Sequence, residues 1–392
     1  MTTLRSRFFR TALLAAVSAF GLLASGCASF PEQPSTQWTP RPHLEPQAGP
    51  NPQMPGGGGG QQQKPPRQGP GGPPKPPEGC KDYSSSVMAT CLDQVSAVAV
   101  LPDGKTAYVA ERTTGRVLRT VEGTQDTTLV AQIDVDTAGD GGLTGLALSP
   151  SFREDNLLYA YITTSSDNRV VRIAPKDSAK PVLTGIPRGS SNNAGALTRD
   201  RNGALLVATG NAGNAAASND PKSLAGKLLR IDAAGKPAKG NPTSDSAVVA
   251  SGLYSPGGVC TSMTGQLTWV TDRQPDRDVA YKFSLGKPLG SPAWSWPDKP
   301  GVAGCAAYPD LLSVNLEKGE AMFDLTLGPT GAFTGQPVTR EKGTYGRLRA
   351  GDLTPDGAAL WVGTTNKNGG KPVSSDDRAV IIVRQSGGNG VD

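Results

Sequence analysis

The fold of this chain is most constrained by a repeated pattern of an apolar run, a tight turn and a second apolar run. Residues 192–232 contain one complete copy. There a short apolar run leads to a turn at Asn202-Gly203, and a β-rich run over residues 204–209 follows the turn. A polar loop and a second β-rich run, over residues 227–231, come next. No segment shows a helical apolar stripe, and 50 glycines and 34 prolines supply many turns. The pattern predicts an all-β protein.

Copies of this pattern recur along most of the chain. They cover residues 95–121, 142–174, 192–232, 255–284, 304–335 and 346–384. A spacing of roughly 40 to 60 residues and a count of about six are typical of propellers with four-stranded blades. A two-sheet sandwich is the alternative, but sandwiches are usually smaller than the region that repeats. We therefore predict a six-bladed β-propeller of four-stranded antiparallel blades over residues 80–392.

The first residues are typical of an export signal. Three arginines precede an apolar run over residues 11–23, which ends at Ala24-Ser25-Gly26-Cys27 and resembles a bacterial lipobox. We predict a lipoprotein signal peptide over residues 1–26 and a lipid on the Cys27 thiol. The protein would then be exported and anchored to the outer face of the cell membrane, in the cell envelope. An ordinary secretory leader with a chance cysteine is the alternative.

Residues 27–79 are rich in proline, glycine and glutamine and cannot bury enough apolar surface to offset chain entropy. We predict a disordered tether between the lipid anchor and the propeller, although its Pro-x-x-Pro segments could instead bind a partner domain. The net charge is +5, and several of the basic residues lie in the leader and the tether. No basic stripe interleaved with aromatic residues is present, so nucleic acid is not an expected partner.

Four cysteines remain after Cys27, an even number in an exported chain, and this predicts two disulfides. Three pairings are open. We favour Cys80–Cys91, which would clasp the start of the fold, and Cys260–Cys305, which would join neighbouring blades. The cysteines lack CxxC spacing and have no histidine near them in the sequence, so they do not indicate a metal site.

Several motifs resemble the glucose/sorbosone dehydrogenase family of soluble quinoprotein sugar dehydrogenases. They are GLTGLALSPSF in the second repeat, SLAGKLLRID at residues 223–232 and YGRLRAGDLTPDG at residues 345–357. The resemblance implies a propeller that binds pyrroloquinoline quinone (PQQ) and calcium and oxidises a sugar. The leader, the tether, the four later cysteines and WPDKPGVAGCAA at residues 296–307 are also similar to a mycobacterial envelope lipoprotein.

The family's catalytic histidine falls on Asn192, or on Asn193 if the alignment shifts by one residue, and the family's TGD becomes TGN at residues 209–211. Sugar oxidation needs a base that takes the hydroxyl proton, which an amide cannot do near neutral pH. The chain's only histidine, His43, lies in the tether. Histidine-dependent hydrolysis and histidine metal sites are therefore disfavoured together with the family's own mechanism.

Other positions that the resemblance places at the site are also altered. In GLYSPGG, Tyr254 and Ser255 replace the arginine and asparagine that face the cofactor in the family, and DRQP, which begins at Asp272, replaces a calcium-binding EHGP. Arg347 and Arg349 match the family's arginines and alternate along a strand, so both could face the channel and bind a carboxylate or phosphate. The alternative is a structural pair bonded to loop carbonyls or acidic residues.

Two further candidates have equally open interpretations. Trp296, in a WSWP motif that resembles a family motif beside the site, could stack on a ligand ring or belong to the core. Asp134, Asp136 and Asp140 have a spacing close to that of calcium loops but lack a closing bidentate glutamate. We interpret them as residues of a loop between blades, with a metal site as the alternative.

Three functional hypotheses follow. The first is a non-catalytic propeller that binds a ligand or serves as a scaffold, with an envelope protein or a saccharide as its partner. The second is a PQQ-dependent aldose dehydrogenase with an altered base, for which Asp272 and Glu111 are candidates. The third is hydrolysis of a lactone or phosphoester at a channel calcium, with Asn192, Asn193 and Asn211 as ligands. We favour the first, because fold does not fix function and the base is missing.

Overall fold

The computed structural model describes residues 75–175 and 177–384. Within these ranges the protein is nearly all β, with six four-stranded antiparallel sheets. The predicted signal peptide, Cys27 and most of the predicted tether lie outside the described residues. No helix in the described ranges is long and apolar enough to cross a membrane.

The first three blades are formed by consecutive strands. Blade 1 contains β2 (Val95–Val100), β3 (Thr106–Glu111), β4 (Arg116–Val121) and β5 (Thr127–Gln132). Blade 2 contains β6 (Leu143–Leu148), β7 (Leu158–Thr163), β8 (Asn168–Ile173) and β9 (Lys180–Ile186), with the short helix α1 (Phe152–Asp155) between its first two strands. Blade 3 contains β10 (Gly195–Arg199), β11 (Leu205–Thr209), β12 (Lys227–Ile231) and β13 (Val248–Ser251), with the 3-10 helix η1 (Ala215–Ser218) in the long polar loop.

The next two blades repeat this arrangement, and the last is completed from the start of the domain. Blade 4 contains β14 (Pro256–Thr261), β15 (Thr268–Arg273), β16 (Asp278–Phe283) and β17 (Trp294–Trp296). Blade 5 contains β18 (Val302–Ala307), β19 (Leu311–Leu316), β20 (Ala321–Thr326) and β21 (Val338–Arg340). Blade 6 contains β22 (Leu348–Leu353), β23 (Ala359–Thr364), β24 (Ala379–Val383) and, outermost, β1 (Val87–Ala89). The predicted six-bladed propeller is confirmed.

The ring closes through β1. This strand pairs antiparallel with β24, with Val87 opposite Val380 and Ala89 opposite Ala379. Val87 and Met88 are almost fully buried, so an early segment of the domain is fastened to its last strands. The sequence analysis did not identify this strand, because three residues are too few to show a period.

Both favoured disulfides are present. Cys80 and Cys91 lie on either side of β1 with their Cα atoms 5.3 Å apart, and so fasten the closing strand. Cys260 of β14 and Cys305 of β18 have Cα atoms 5.8 Å apart and join the innermost strands of blades 4 and 5.

The innermost strands β2, β6, β10, β14, β18 and β22 pack against one another in sequence around the ring, and β22 packs against β2. Their first residues meet the loops that follow the second strand of each blade, as in the backbone hydrogen bond from Leu143 to the Arg112 carbonyl. We call this end of the channel the mouth. It is formed by the residues before the six innermost strands and by those after β3, β7, β11, β15, β19 and β23.

Apolar side chains fill the spaces between neighbouring blades. The space between blades 4 and 5 contains an aromatic cluster in which the Trp296 ring lies 5.5 Å from that of Phe323, between their centroids. Trp296 is 5% exposed and belongs to the outermost strand of its blade, far from the innermost strand at the channel. Of the two roles that the sequence left open, the structure places it in the core.

Candidate functional site

At the mouth, buried polar side chains accept hydrogen bonds from backbone N–H groups. Where an innermost strand begins, its unpaired amides need acceptors once they leave water. Five of the six starts receive a carboxylate or amide oxygen from elsewhere in the chain. The pairs are Glu111 with Asp93 N–H, Asp140 with Asn193 N–H, Asp272 with Tyr254 and Ser255 N–H, Asp278 with Gly301 and Val302 N–H, and Asn366 with Arg347 N–H. These carboxylates and the Asn366 amide therefore hold the fold.

Asp272, a candidate base, is fully buried at the end of β15. One oxygen accepts the Ser255 N–H at 2.7 Å, and the other accepts the Tyr254 N–H at 2.9 Å and Gln274 Nε2 at 2.5 Å. Burial raises the pKa of its carboxyl to about 6, while these hydrogen bonds oppose the rise. Such a pKa suits a base, but both oxygens already hold the loop that precedes β14.

Glu111, the other candidate base, is also fully buried. Its carboxylate accepts both Arg116 Nε at 2.6 Å and Arg116 Nη2 at 2.7 Å, and it also accepts the Asp93 N–H. A bidentate arginine fixes a carboxylate in place. The Glu111 oxygens are therefore already used by hydrogen bonds to Asp93 and Arg116.

Asn192 lies in the loop before β10, at the mouth. Its backbone has a φ of 55°, in the left-handed region that asparagine tolerates. Its Nδ2 donates to Asn211 Oδ1 at 2.9 Å. Gly210 passes so close that a Cβ there would lie 2.0 Å from the Asn192 carbonyl oxygen. Asn192 and Asn211 thus form an amide–amide pair.

Asn193, the second candidate for the base position, has a different environment. It is fully buried, and its Oδ1 accepts the Gly189 N–H at 2.9 Å while its Nδ2 donates to the Gly189 carbonyl at 2.8 Å. Both ends of this side chain therefore close its own loop. Only Asn192 is placed to meet a ligand.

Arg347 and Arg349 meet at the mouth, and a carboxylate already lies between them. Glu317, which follows β19, accepts Arg347 Nη2 at 3.0 Å on one oxygen and Arg349 Nη1 at 3.0 Å on the other. Arg273 Nη1 lies 3.7 Å from the second oxygen. We call these four residues the arginine–glutamate cluster. The structural pair that the sequence analysis kept as an alternative is the arrangement observed, with Glu317 as its partner.

Glu317 is held as an anion despite its burial. Its side chain is 7% exposed, and burial alone would raise its pKa. The charges of Arg349, Arg273 and Arg347 outweigh burial and lower the pKa to about 2. The sequence analysis missed this residue, because in LEKGE it looks like a solvated turn. The alternating arginines were the only signal that a partner existed.

The mouth retains positive charge beyond this cluster. Arg112, after β3, donates to Gln94 Oε1 and to the Gly141 carbonyl, both at 2.8 Å, and forms no ion pair with a described residue. Burial and the nearby charge of Arg349 lower its pKa. Four arginines, namely the three of the cluster and Arg112, thus lie near one glutamate. The more distant charges of Asp93 and Asp140 also act on Arg112 and raise its pKa.

The remaining candidates lie around the rim. Tyr254 is half-buried, and its backbone N–H and carbonyl bind Asp272 and Asn211. Asp134 and Asp136 lie in the loop that connects blades 1 and 2. Asp134 is exposed, and Asp136 forms an ion pair with Arg188, which lies in the loop before β10. The three aspartates thus occupy a loop between blades, as interpreted. No group of three or more histidine, cysteine or acidic side chains suited to a metal ion occurs within residues 75–175 and 177–384.

A cavity of about 600 Å³ lies at the end of the channel opposite the mouth. It is lined by the last residues of the innermost strands, by the Cys260–Cys305 disulfide and by Asp352, whose pKa burial raises to about 6. None of the candidate residues lines it. The candidate residues therefore lie at or near the mouth and not in this cavity.

The cluster predicts a pH-dependent contribution of Glu317 to stability. Its folded pKa lies below the ordinary value, so its contribution is present above about pH 4.5 and is lost as the pH falls toward 2. We expect Glu317→Gln to lower the free energy of unfolding at pH 7 by on the order of 3 kcal/mol, and by less than half as much at pH 3. Urea denaturation at both pH values measures this.

The control for that prediction is Asp310→Asn, which removes a carboxylate from the exposed ion pair with Arg384. It should change the free energy of unfolding by less than about 1 kcal/mol. An equal effect of Glu317→Gln at pH 7 and pH 3 would contradict the assignment of a charged Glu317.

Comparison with known proteins agrees with this geometry. Residues 92–272 match the model of the family described as Glucose / Sorbosone dehydrogenase. No curated protein sequence matches the chain. The PQQ-bound aldose sugar dehydrogenase of Streptomyces coelicolor has 29% identity and a TM-score of 0.70, over 78% of this chain and 99% of that one.

A more distant structure shows that the fold is shared. The apo form of the soluble aldose sugar dehydrogenase of Escherichia coli has 20% identity and a TM-score of 0.64, over 76% of this chain and 99% of that one. The chain is therefore similar to glucose/sorbosone dehydrogenases, in sequence over residues 92–272 and in fold over the whole propeller.

Proposed function

We propose that this protein is a cell-envelope lipoprotein whose propeller binds a ligand or partner at the mouth and does not oxidise a sugar. One observation carries the proposal: Asn192 and Asn211 form an amide–amide pair where the related enzymes require a base. Hydride transfer from a sugar to a quinone needs a group that accepts the hydroxyl proton. A neutral amide does not accept a proton near pH 7.

The other bases at the mouth do not replace the missing one. Asp272 and Glu111 are both fully buried, and their oxygens hold backbone N–H groups or Arg116. A catalytic base must reach the proton that it removes. Neither carboxylate can do so without releasing the loop or the side chain that it fixes.

The residues of the mouth also fit PQQ poorly. A quinone that carries several carboxylates needs free cationic partners, but Arg347 and Arg349 are both bonded to Glu317. Because the pKa of Glu317 is about 2, its negative charge persists at physiological pH, and a quinone carboxylate would have to displace it from Arg347 and Arg349. Tyr254 and Ser255 supply no cation in compensation.

Ligand binding is supported by what the mouth retains. The scaffold that positions the loops is intact, and Arg112, without an ion pair among the described residues, leaves a positive charge near Arg349. Propellers commonly bind ligands on such loops. With the predicted lipid at Cys27 and a tether over residues 27–79, the mouth would be presented to envelope proteins or saccharides outside the membrane.

A PQQ-dependent aldose dehydrogenase is the second candidate. It is favoured by the 29% identity to the PQQ-bound enzyme of Streptomyces coelicolor and by the positions of Arg347 and Arg349 at the mouth. Under this hypothesis Glu317 would have to leave the arginines when the quinone binds.

A turnover assay separates the two candidates. Purified protein is supplied with PQQ and calcium, given a panel of aldoses, and monitored by reduction of an electron-accepting dye. We expect no turnover above the rate without protein, because no base is available. The Streptomyces coelicolor enzyme serves as the positive control. Turnover that Arg347→Ala abolishes, and that the exposed change Arg384→Ala leaves unchanged, would establish the second candidate instead.

The membrane anchor has a separate test. Cells that express the full chain are labelled with a palmitate analogue and fractionated. We expect the wild-type protein to carry the label and to sediment with membranes, whereas Cys27→Ser should lose the label and appear in the soluble exported fraction. An unlabelled wild-type protein would show that the leader is an ordinary secretory signal.

A further inference from the structure

The cavity of about 600 Å³ at the end of the channel opposite the mouth takes no part in the function proposed above. We call it the basal cavity. Its walls are the last residues of the innermost strands and the turns that follow them. A volume of this size is typical of sites for small molecules. Because none of the mouth's candidate residues lines the basal cavity, a ligand there would bind independently of the mouth.

Three arginines line the basal cavity, namely Arg153, Arg199 and Arg201, and all three are exposed. None of them forms an ion pair with a residue that the structure describes. Asp200, which separates Arg199 from Arg201, is already paired with Arg230, whose Nε lies 2.6 Å from its Oδ2. Three guanidinium groups are thus accessible and without an ion-pair partner. A cleft lined by charges of one sign attracts ligands of the opposite sign.

The loops of blades 2 and 3 hold these arginines near one another. Arg199 Nη1 donates to the Ser149 carbonyl at 3.3 Å, so the end of β10 is bonded to the loop that carries Arg153. Arg201 packs against Gly265 in the turn between β14 and β15, where an added Cβ would meet the Arg201 side chain. The three cations therefore come from two neighbouring loops on one side of the ring.

One unpaired carboxylate also lines the basal cavity, that of Asp352 in β22. It accepts the Val100 N–H at 2.8 Å and the Leu353 N–H at 3.0 Å, and the charge of Arg199 acts on it from a distance. Asp352 is half-buried, and a carboxylate has further lone pairs, so it can also accept hydroxyl groups. It does not balance three arginines, and the cavity keeps an excess of positive charge.

A phosphate monoester matches this lining better than a carboxylate does. It carries about two negative charges near pH 7 and three strong acceptor oxygens. Guanidinium groups bind phosphate through paired N–H donors, and several of them can share one phosphate. A carboxylate supplies one charge and two oxygens, so it would leave more of the positive charge without a partner.

We propose that the basal cavity binds a small phosphate monoester that also carries hydroxyl groups. The phosphate oxygens accept hydrogen bonds from Arg153, Arg199 and Arg201, and hydroxyl groups of the ligand donate to Asp352. The site goes beyond the function proposed for the mouth. A soluble ester and the phosphate headgroup of a lipid share this chemistry, and the binding test distinguishes them.

The test uses D-glucose 6-phosphate as the probe, with D-glucose and D-glucuronate for comparison. Isothermal titration calorimetry on the full-length protein in detergent micelles, at low ionic strength, should give a dissociation constant at or below ~1 mM for the phosphate ester. Glucose lacks an anionic group and should bind about ten-fold more weakly or worse. Glucuronate, with one charge, should bind at least about three-fold more weakly.

Phosphatidate added to the micelles separates the two sources of the phosphate. We expect the dissociation constant for glucose 6-phosphate to stay unchanged, because the apolar side chains of the walls, such as Val98, Leu146 and Leu148, are almost fully buried and leave little surface for acyl chains. Competition by phosphatidate would keep the phosphate site but assign it to a lipid headgroup.

The double variant Arg199→Gln with Arg201→Gln removes two of the three cations and should weaken glucose 6-phosphate binding by about ten-fold or more. Arg119→Gln is the matched control. Arg119 lies in β4, outside the basal cavity, and is likewise exposed and without an ion pair to a described residue. Its loss should change the affinity by less than about two-fold. Thermal unfolding verifies that each variant is folded.

Four results would overturn the proposal. They are no binding of glucose 6-phosphate by the wild type, equal affinity for glucose or glucuronate, unchanged affinity in the double variant, and an equal loss in Arg119→Gln and the double variant. None of them bears on the turnover assay at the mouth, so this site and the proposed function fail or stand separately.

Discussion

Five of the six innermost strands begin at backbone N–H groups that depend on side-chain acceptors, because the ring removes these groups from water. Buried carboxylates and amides such as Asp272, Asp278 and Asn366 supply them from neighbouring strands. This requirement fixes the loops at the mouth, because an unsatisfied buried amide costs about 1 to 3 kcal/mol. It also consumes the acidic groups that would otherwise be free for chemistry. The mouth is consequently rich in charged side chains and poor in available bases.

Hydrogen bonds and ion pairs within the chain are also the basis on which we propose a function different from that of the enzymes it resembles. Glu317 provides within the chain the negative charge that Arg347 and Arg349 would otherwise take from a ligand. Asn192 Nδ2 donates an ordinary amide hydrogen bond to Asn211 Oδ1, at the positions where the resemblance implies an ionisable pair. Under the function that we propose, the scaffold is preserved, the proton acceptor is missing and Glu317 occupies two of the arginines, so binding is the function that this arrangement favours.

Much of the fold could be predicted from the sequence, because apolar runs and turns are local signals that repeat six times. The favoured cysteine pairing also followed from the order of the blades. The closing strand β1 could not be predicted, since only its pairing with β24, nearly three hundred residues away, defines it. Glu317 and the core position of Trp296 depend on contacts between blades in the same way. At the site, the sequence predicts the loss of the base, whereas the partner of the arginine pair, Glu317, required coordinates.

A crystal structure of the protein grown with excess PQQ and calcium tests the central claim most directly. The account predicts that the Glu317 carboxylate stays within hydrogen-bonding distance of Arg347 and Arg349, and that no quinone density lies over them. Quinone carboxylates bonded to both arginines, with Glu317 displaced and an ionisable group beside Asn192, would contradict it.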